Sequence, residues 1–150
     1  MQFFINLNDL IMKNIILPFI LSALLILTSC LDKEGGVRVG SNMEAYALEY
    51  FENHEVLYAD EKILAYYDYT ISLDGTTAAI LTENRLIYHN QETITTYFFL
   101  DEITNIVHYE KSIEGLFIEA WKGEELMMIE IAHWQGADIF LNILKKKMNL

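Results

Sequence analysis

The pattern of apolar and polar positions divides the chain into three parts. Residues 15–31, IILPFILSALLILTSCL, contain no charged side chain. Residues 32–41, DKEGGVRVGS, contain three glycines among charged residues, which is typical of a flexible tether. Beyond them apolar residues recur first at helical spacing and then at every second position. The sequence therefore predicts one folded domain over 42–150.

The domain begins with a helical pattern that changes to strands. Apolar residues at helical spacing predict a helix over 42–53, and Ser41 followed by Glu44 fits a capping box at its start. Seven turn-separated stretches rich in alternating or β-branched apolar residues follow. These predicted strands cover 63–72, 76–82, 85–89, 93–100, 103–111, 116–121 and 125–132. Such a series is typical of antiparallel barrels and sandwiches.

The pattern returns to helical spacing at the end of the domain. The apolar face of this last predicted helix consists of Ala137, Phe140, Leu141, Leu144 and Met148. Lys145, Lys146 and Lys147 fall in its last turn, where cations complement the helix dipole. An amphipathic helix of this kind can close an open end of a bent sheet. The expected fold class is therefore mainly β (α+β), a seven-stranded antiparallel bent sheet or barrel capped by a C-terminal helix, with an extra N-terminal helix.

The charge of the chain restricts its partners. The net charge is −12, and every acid except Asp9 and every base except Lys13 lies beyond Cys30. Affinity for nucleic acid depends on Lys and Arg that neutralise phosphates, so nucleic-acid binding is not expected. Anionic lipid headgroups are disfavoured for the same reason. The single cysteine excludes an intramolecular disulfide.

Residues 1–29 have the layout of a secretory signal peptide. Lys13 precedes an apolar centre over 15–29, which ends in small side chains. The centre is short for a transmembrane helix, which needs about 20 apolar residues. Residues 1–11 contain an acid and no base, which favours Met12 as the translation start. A signal anchor that is never cleaved is the alternative, and in either case Lys13 predicts a domain outside the cytoplasm.

The end of this segment resembles the lipobox of bacterial lipoproteins, through Leu27, Thr28, Ser29 and Cys30. In that family the cysteine thiol is acylated, and cleavage then makes the cysteine the N-terminal residue. The resemblance implies that Cys30 carries the lipid and anchors the protein in a membrane. Leu31 after the cysteine implies the outer membrane, facing the periplasm, in a Gram-negative organism. In a Gram-positive organism the anchor implies the cell surface.

Three stretches of the domain resemble bacterial pleckstrin-homology-like domains. They are AAILTENRLIYHN (78–90), FFLDEITNIVHYEK (98–111) and IEIAHWQGADIFLNILKKKM (129–148). The resemblance covers roughly 60–150 and implies seven antiparallel strands closed by one helix. Members of the wider family that bind phosphoinositides place Lys and Arg around the loop between the first two strands. Here that loop, SLDGTT (72–77), contains Asp74 and no base, so phosphoinositide binding is not expected.

No pattern in the sequence predicts a metal, a cofactor or a catalytic residue. The four histidines, His54, His89, His108 and His133, have no ligand spacing. The adjacent acids 101–102 and 124–125 fall in predicted turns, where solvated side chains are the favoured interpretation. For Arg85 a solvated turn residue, or a salt bridge to Glu83 or a neighbouring acid, is favoured over a ligand role.

Two aromatic residues are candidates for an interaction patch. On strand alternation Phe117 and Trp121 point away from the face that carries Leu116, Ile118 and Ala120. Coverage of both rings by the helix over 42–53 is the simpler expectation. If that helix does not cover them, they mark a surface for a protein partner.

The sequence favours a non-catalytic, membrane-anchored protein whose domain mediates protein interaction or scaffolding in the cell envelope. A small-ligand or lipid-binding module that uses the barrel interior is the alternative. A barrel this small is filled by its own side chains, which disfavours that alternative. A hydrolase is the third hypothesis, and no catalytic constellation in the sequence supports it.

Overall fold

The computed structural model of the protein describes residues 35–150. In chain order its strands and α-helices are β1 (Arg38–Val39), α1 (Ala45–Asn53), β2 (Ile63–Asp68), β3 (Thr77–Thr82), β4 (Arg85–Asn90), β5 (Thr96–Phe99), β6 (Asn105–Lys111), β7 (Gly115–Lys122), β8 (Glu125–Ala132) and α2 (Ala137–Met148). The seven predicted strands and both predicted helices are present. The short strand β1 is an addition.

The strands form two antiparallel sheets. The first sheet has the order β1-β2-β3-β4-β5, and the second has the order β6-β7-β8. Every pairing joins neighbours in the chain, as expected for strands connected by short turns. The predicted fold class, mainly β and antiparallel with a C-terminal helix and an extra N-terminal helix, is confirmed.

Four of the strands are shorter than the pattern predicted: β3 begins at Thr77 and β6 at Asn105, and β2 and β5 differ the most. β2 ends at Asp68 rather than at residue 72, because the Asp68 carboxylate accepts hydrogen bonds from the backbone N–H groups of Thr70 and Gly75, both at 2.7 Å. These bonds fold the chain into a loop instead of extending the strand. β5 begins at Thr96 rather than at residue 93.

The main core lies where both sheets meet α2. Its largest side chains include Leu81, Phe98, Ile118, Ile129 and Phe140. α2 contributes Phe140, Leu141 and Leu144, all buried, which confirms the predicted apolar face. The helix is flanked by Gly136 before it and Asn149 after it, and both of these residues have left-handed backbone angles.

A second, smaller core lies on the opposite face of the first sheet. Here Phe51 of α1 packs with Tyr66, Ile80 and Ile87, which are fully or almost fully buried. The neighbours of these strand residues along the chain point into the main core. The central strands therefore have apolar side chains on both faces, as in sheets that are covered on both sides.

The start of α1 differs from the prediction. The helix begins at Ala45 with Glu44 as its N-cap, and no side chain caps it. The predicted capping box of Ser41 and Glu44 is therefore wrong. Glu44 instead pairs with Arg38, whose Nε lies 3.2 Å from the Glu44 Oε1.

The folded domain begins earlier than residue 42. Arg38 and Val39 lie opposite Tyr66 and Ala65 in the first sheet, although they fall in the stretch 32–41 that was predicted as a tether. The backbone N–H of Val37 also donates a hydrogen bond of 2.7 Å to the carbonyl oxygen of Gln135. The alternating apolar residues at 37 and 39 are the signal for this strand, which the neighbouring glycines obscured.

Candidate interaction site

The predicted lipidation site lies outside the described residues. Leu27, Thr28, Ser29 and Cys30 all precede residue 35, so the lipobox and the anchor remain predictions. Between residues 35 and 150 no helix is long and apolar enough to cross a membrane.

The outer side of the second sheet is the principal candidate surface. The strand register brings Val107, Glu119 and Met128 into one row across the sheet. Asn105, Trp121 and Leu126 form the next row on the same side. We call these two rows, together with Tyr109 and Phe117, the open face. Within the described part of the chain neither helix packs on it.

The open face is apolar and accessible to solvent. The exposed fractions are 39% for Val107, 42% for Leu126 and 44% for Met128. Trp121 is half-buried among them. Glu119 is the acid within the two rows, and the Tyr109 hydroxyl donates a hydrogen bond of 3.1 Å to it. These side chains give the outer side of the second sheet exposed apolar surface.

Phe117 and Trp121 differ in their roles on this face. Phe117 is only 5% exposed because the Tyr109 ring stacks on it, with 5.4 Å between the ring centroids. The Lys111 ammonium lies 4.3 Å from the centre of the same ring. Phe117 therefore packs beneath Tyr109 and is shielded from solvent, while Trp121 is partly exposed on the open face.

The expectation that the leading helix covers these rings is wrong. α1 packs on the first sheet, where Phe51 contacts Tyr66 with 5.5 Å between ring centroids. Periodicity identified the apolar face of this helix but could not identify the sheet that receives it. The alternation of Leu126 and Met128 with buried residues was the signal for the further members of the open face.

Hydrogen bonds to an aspartate carboxylate stabilise the loop between β2 and β3, and this negative charge is unfavourable for phosphate binding. Asp74 accepts hydrogen bonds from the hydroxyl groups of Ser72 at 2.5 Å and Thr76 at 2.7 Å. These bonds lower the pKa of Asp74 to about 2, so its carboxylate is ionised at neutral pH. Gly75 follows with a left-handed φ of 84°, and a Cβ there would lie 3.1 Å from the Phe51 ring.

Arg85 is buried in an ion pair. The side chains of Arg85 and Glu61 are only 2% and 4% exposed, and the guanidinium donates hydrogen bonds to both carboxylate oxygens. It also donates to the Val56 carbonyl oxygen at 3.2 Å, and the Tyr58 ring centre lies 3.7 Å from its carbon Cζ. The prediction of a solvated turn residue is wrong, because Arg85 is buried, while the alternative of a salt bridge to an acid is confirmed, with Glu61 as that acid. Glu83 pairs instead with Lys62, at 3.9 Å.

Hydrogen bonds keep Glu61 charged despite its position. Burial alone would raise the pKa of Glu61, but the hydrogen bonds from Arg85, Thr82 and the Tyr58 backbone N–H outweigh burial and lower that pKa. The Thr82 hydroxyl donates to Glu61 at 2.6 Å and also accepts from the Arg85 backbone N–H at 2.8 Å. The ion pair therefore fastens the β3–β4 turn to the segment before β2.

The four histidines do not form a single site, although His54 and His89 both contact Tyr50. His89 is buried, with its Nε2 3.1 Å from the Tyr50 hydroxyl and its Nδ1 2.8 Å from the Thr95 hydroxyl. Burial lowers the pKa of His89, and the neighbouring His54 acts in the same direction. Across residues 35–150 no three His, Cys, Asp or Glu side chains are grouped so that they could hold a metal ion.

Of the adjacent acids, Glu102 makes a surface ion pair, and Glu125 lies at the start of β8 rather than in a turn. Glu102 forms an ion pair of 2.9 Å with Lys122, which lowers the pKa of Glu102. Both side chains are more than one third exposed. This arrangement is a solvated ion pair and lacks the buried, raised-pKa carboxyl group that general acid catalysis requires.

An open groove of about 730 Å³ lies between the end of β6 and the start of α2. Its apolar lining comes from Leu116, Trp134 and Leu141, and its polar rim includes Glu110 and Asp138. The groove is a surface depression, because the interior between the sheets is filled by the main core.

Comparisons with known proteins support the fold. No family model matches the chain, and no curated protein matches it. One similar solved structure is a DUF1696 family protein with a pleckstrin-homology domain from Shewanella loihica, at 12% identity and a TM-score of 0.50, covering 70% of this chain and 99% of that one. Another is a pleckstrin homology domain from Shewanella amazonensis, at 10% identity and a TM-score of 0.51, covering 82% of this chain and 98% of that one. The domain therefore has a pleckstrin-homology-like fold.

Proposed function

We propose that the protein is a non-catalytic lipoprotein, anchored through Cys30, whose pleckstrin-homology-like domain binds a protein partner in the cell envelope. The observation that carries the proposal is the open face, where Val107, Leu126 and Met128 are each about two fifths exposed. Water-exposed apolar side chains in adjacent rows gain free energy when a partner covers them.

The acidic residues on the open face favour a partner with basic residues. Glu119 lies within the apolar rows, and Glu130 lies next to Met128 on the same side of β8. The chain as a whole carries a net charge of −12. A complementary partner has an apolar patch flanked by Lys or Arg, since opposite charges across an interface accelerate association.

The partner proposal is tested by crosslinking in membranes. A photoreactive amino acid at position 128 or 126 is expected to capture a specific protein, and Glu119→Gln together with Glu130→Gln is expected to slow its capture. The matched control is position 94, since Ile94 is 74% exposed on the loop before β5 and lies off the open face. Equal capture of the same proteins from positions 94 and 128 would reject the open face as the binding surface.

The anchor is tested separately. Labelled palmitate is expected to enter the wild-type protein and to be absent from Cys30→Ala, and globomycin is expected to block processing of the wild type. Labelling that persists in Cys30→Ala would reject Cys30 as the lipidated residue.

Phosphoinositide binding is not part of the proposed function. The β2–β3 loop presents the ionised Asp74, which repels phosphate groups. We expect no difference in sedimentation between vesicles of phosphatidylcholine alone and vesicles that also contain phosphoinositides. Preferential sedimentation with the phosphoinositide vesicles would contradict this.

A small apolar ligand is the second candidate, and the groove beside α2 is the feature that favours it. A volume of about 730 Å³ falls within the range of small-molecule sites, about 300–1,000 Å³. Saturable binding of a neutral fluorescent lipid that Ala137→Trp abolishes would support this function. Binding that Ala137→Trp leaves unchanged would exclude the groove.

A further inference from the structure

Trp134 is unusually exposed for its size. It lies in the turn between β8 and α2 with 92% of its surface accessible, and no aromatic residue in the described part is more exposed. Its φ of 64° is left-handed, which is costly for a bulky residue and persists where the surroundings require it. The ring makes an edge contact with His133, at 4.8 Å between centroids.

The N-terminal end of the domain lies next to this turn. The Gln135 carbonyl oxygen accepts the hydrogen bond from Val37 N–H at 2.7 Å. A Cβ on Gly136 would lie 3.5 Å from the Val37 Cβ and 3.4 Å from the Ile139 Cδ1, and Ile139 is 43% exposed. Val37 itself is half-buried against the main core, so Trp134 and Ile139 are the more exposed side chains here. We call Val37, Trp134 and Ile139 the junction patch.

The connection between Cys30 and the junction patch is short. Gly36 is six positions after Cys30 in the chain, and six fully extended residues span about 20 Å. A domain of this size has a radius of gyration of about 13 Å and is therefore about 35 Å across. Since the connection is shorter than the domain is wide, a bilayer that holds Cys30 meets the junction patch before the far side of the domain.

We infer that the junction patch rests on the headgroup layer of the membrane that anchors the protein, with Trp134 as the residue at the interface. The inference rests on the proposed function, because it requires the chain at Cys30 to be held at a bilayer. Tryptophan is enriched at membrane interfaces, where its ring meets apolar tails and its N–H meets polar headgroups. The tether raises the effective concentration of the bilayer, so a shallow contact is sufficient.

The surrounding charges define the kind of surface. Asp138 is in the first turn of α2, and Glu110 lies on the same groove as Trp134. These acids oppose deep insertion and oppose anionic lipid. The junction patch therefore fits a zwitterionic headgroup layer and does not penetrate the hydrocarbon.

The experiment uses the two tryptophans as reporters. The full chain is produced in a host that acylates lipoproteins and is reconstituted into phosphatidylcholine vesicles that contain lipid brominated near the headgroup. Trp121→Phe leaves Trp134 as the reporter, and Trp134→Phe leaves Trp121 on the open face as the matched control. We expect bromine to quench Trp134 at least twofold and to leave Trp121 unchanged.

Each outcome decides the inference. A Trp134 signal unaffected by brominated lipid, in protein that has incorporated labelled palmitate and remains on the vesicles, overturns the inference and leaves the anchor intact. Quenching of Trp121 instead of Trp134 also overturns it, because the open face then lies on the bilayer. Protein that incorporates no palmitate and does not associate with vesicles overturns the proposed anchor, and the inference with it.

Discussion

At the scale of single residues, the buried pair of Arg85 and Glu61 shows how local chemistry fixes a long-range contact. Glu61 lies 24 residues before Arg85 in the chain, and both side chains are nearly inaccessible to water. The aromatic rings of Tyr58 and Tyr97 lie 3.7 and 4.7 Å from the guanidinium carbon. A charge in such a place is tolerated because its partner and its hydrogen bonds are complete.

Removal of the arginine is expected to be severe. Arg85→Met leaves the Glu61 carboxylate buried without its cation, and loss of one partner of a buried pair costs about 3–5 kcal/mol. Urea unfolding measures the change. Lys62→Met is the control, because it breaks the exposed Lys62–Glu83 contact and is expected to cost about 1 kcal/mol or less. Equal losses for the two variants would contradict the role of burial.

Asp74 gives a prediction about pH. Its pKa of about 2 in the folded protein is below the value near 3.9 expected in the unfolded chain. A group with a lowered folded pKa stabilises the fold above the unfolded pKa, and this stabilisation is lost as the pH falls from about 4 towards 2. Asp74→Asn is therefore expected to be less stable than wild type at pH 7, with the difference shrinking across that range. Urea midpoints at pH 7, 4 and 2.5 measure it, and a constant difference would exclude the ionised carboxylate as the cause.

At the scale of elements, the docking of α1 decides which face of the molecule remains open. Phe51 is fully buried against the first sheet, and Tyr50 reaches His89 on β4. The amphipathic pattern of α1 would have fitted either sheet. Its position follows from the apolar residues of β2, β3 and β4 that point away from the main core, which no local pattern assigns to a partner.

Lower pH is expected to weaken the packing of α1 on the first sheet, because His89 takes up a proton. The pKa of His89 is lowered in the fold, so the unfolded chain binds a proton more readily than the folded protein once the pH falls below about 6.5. The free energy of unfolding then decreases with falling pH. Amide hydrogen exchange in α1 is expected to be faster at pH 5.5 than at pH 7.5, after correction for the intrinsic exchange rates.

The matched variants separate His89 from other titrating groups. His89→Gln is expected to reduce the acid-induced increase of exchange in α1, while His133→Gln, which changes an exposed side chain, leaves it unchanged. The same response in both variants would assign the effect to another group.

At the scale of the whole molecule, charge repulsion opposes the compact state. The chain has 22 acids against 10 Lys and Arg. Salt at about 0.15 M shortens the screening length to about 8 Å, from about 30 Å at 0.01 M. We expect the melting temperature to rise by a few degrees when the salt concentration increases from about 0.01 to about 0.15 M. Thermal unfolding monitored by circular dichroism measures the change. A lower melting temperature in salt would mean that the ion pairs outweigh the repulsion.

The sequence predicted the elements better than their contacts. Alternation identified the strands because one face of each strand must be buried, and helical spacing identified Phe140, Leu141 and Leu144 as the face of α2. The pairing of Arg85 with Glu61 could not be selected among many acids. The sequence nominated Phe117 and Trp121 for a patch, but it could not decide whether another element covers them, since an apolar row looks the same in either case.

The short strand β1 also has a mechanical consequence. Any tension applied to the chain before Gly35 reaches the Val37–Gln135 hydrogen bond first, and then the two residues of β1 that pair with β2. The Arg38–Glu44 ion pair passes part of this load to the start of α1. A pull from the N-terminal side would therefore be resisted first by a few backbone hydrogen bonds, and the remaining sheet would keep its shape while they rupture and re-form.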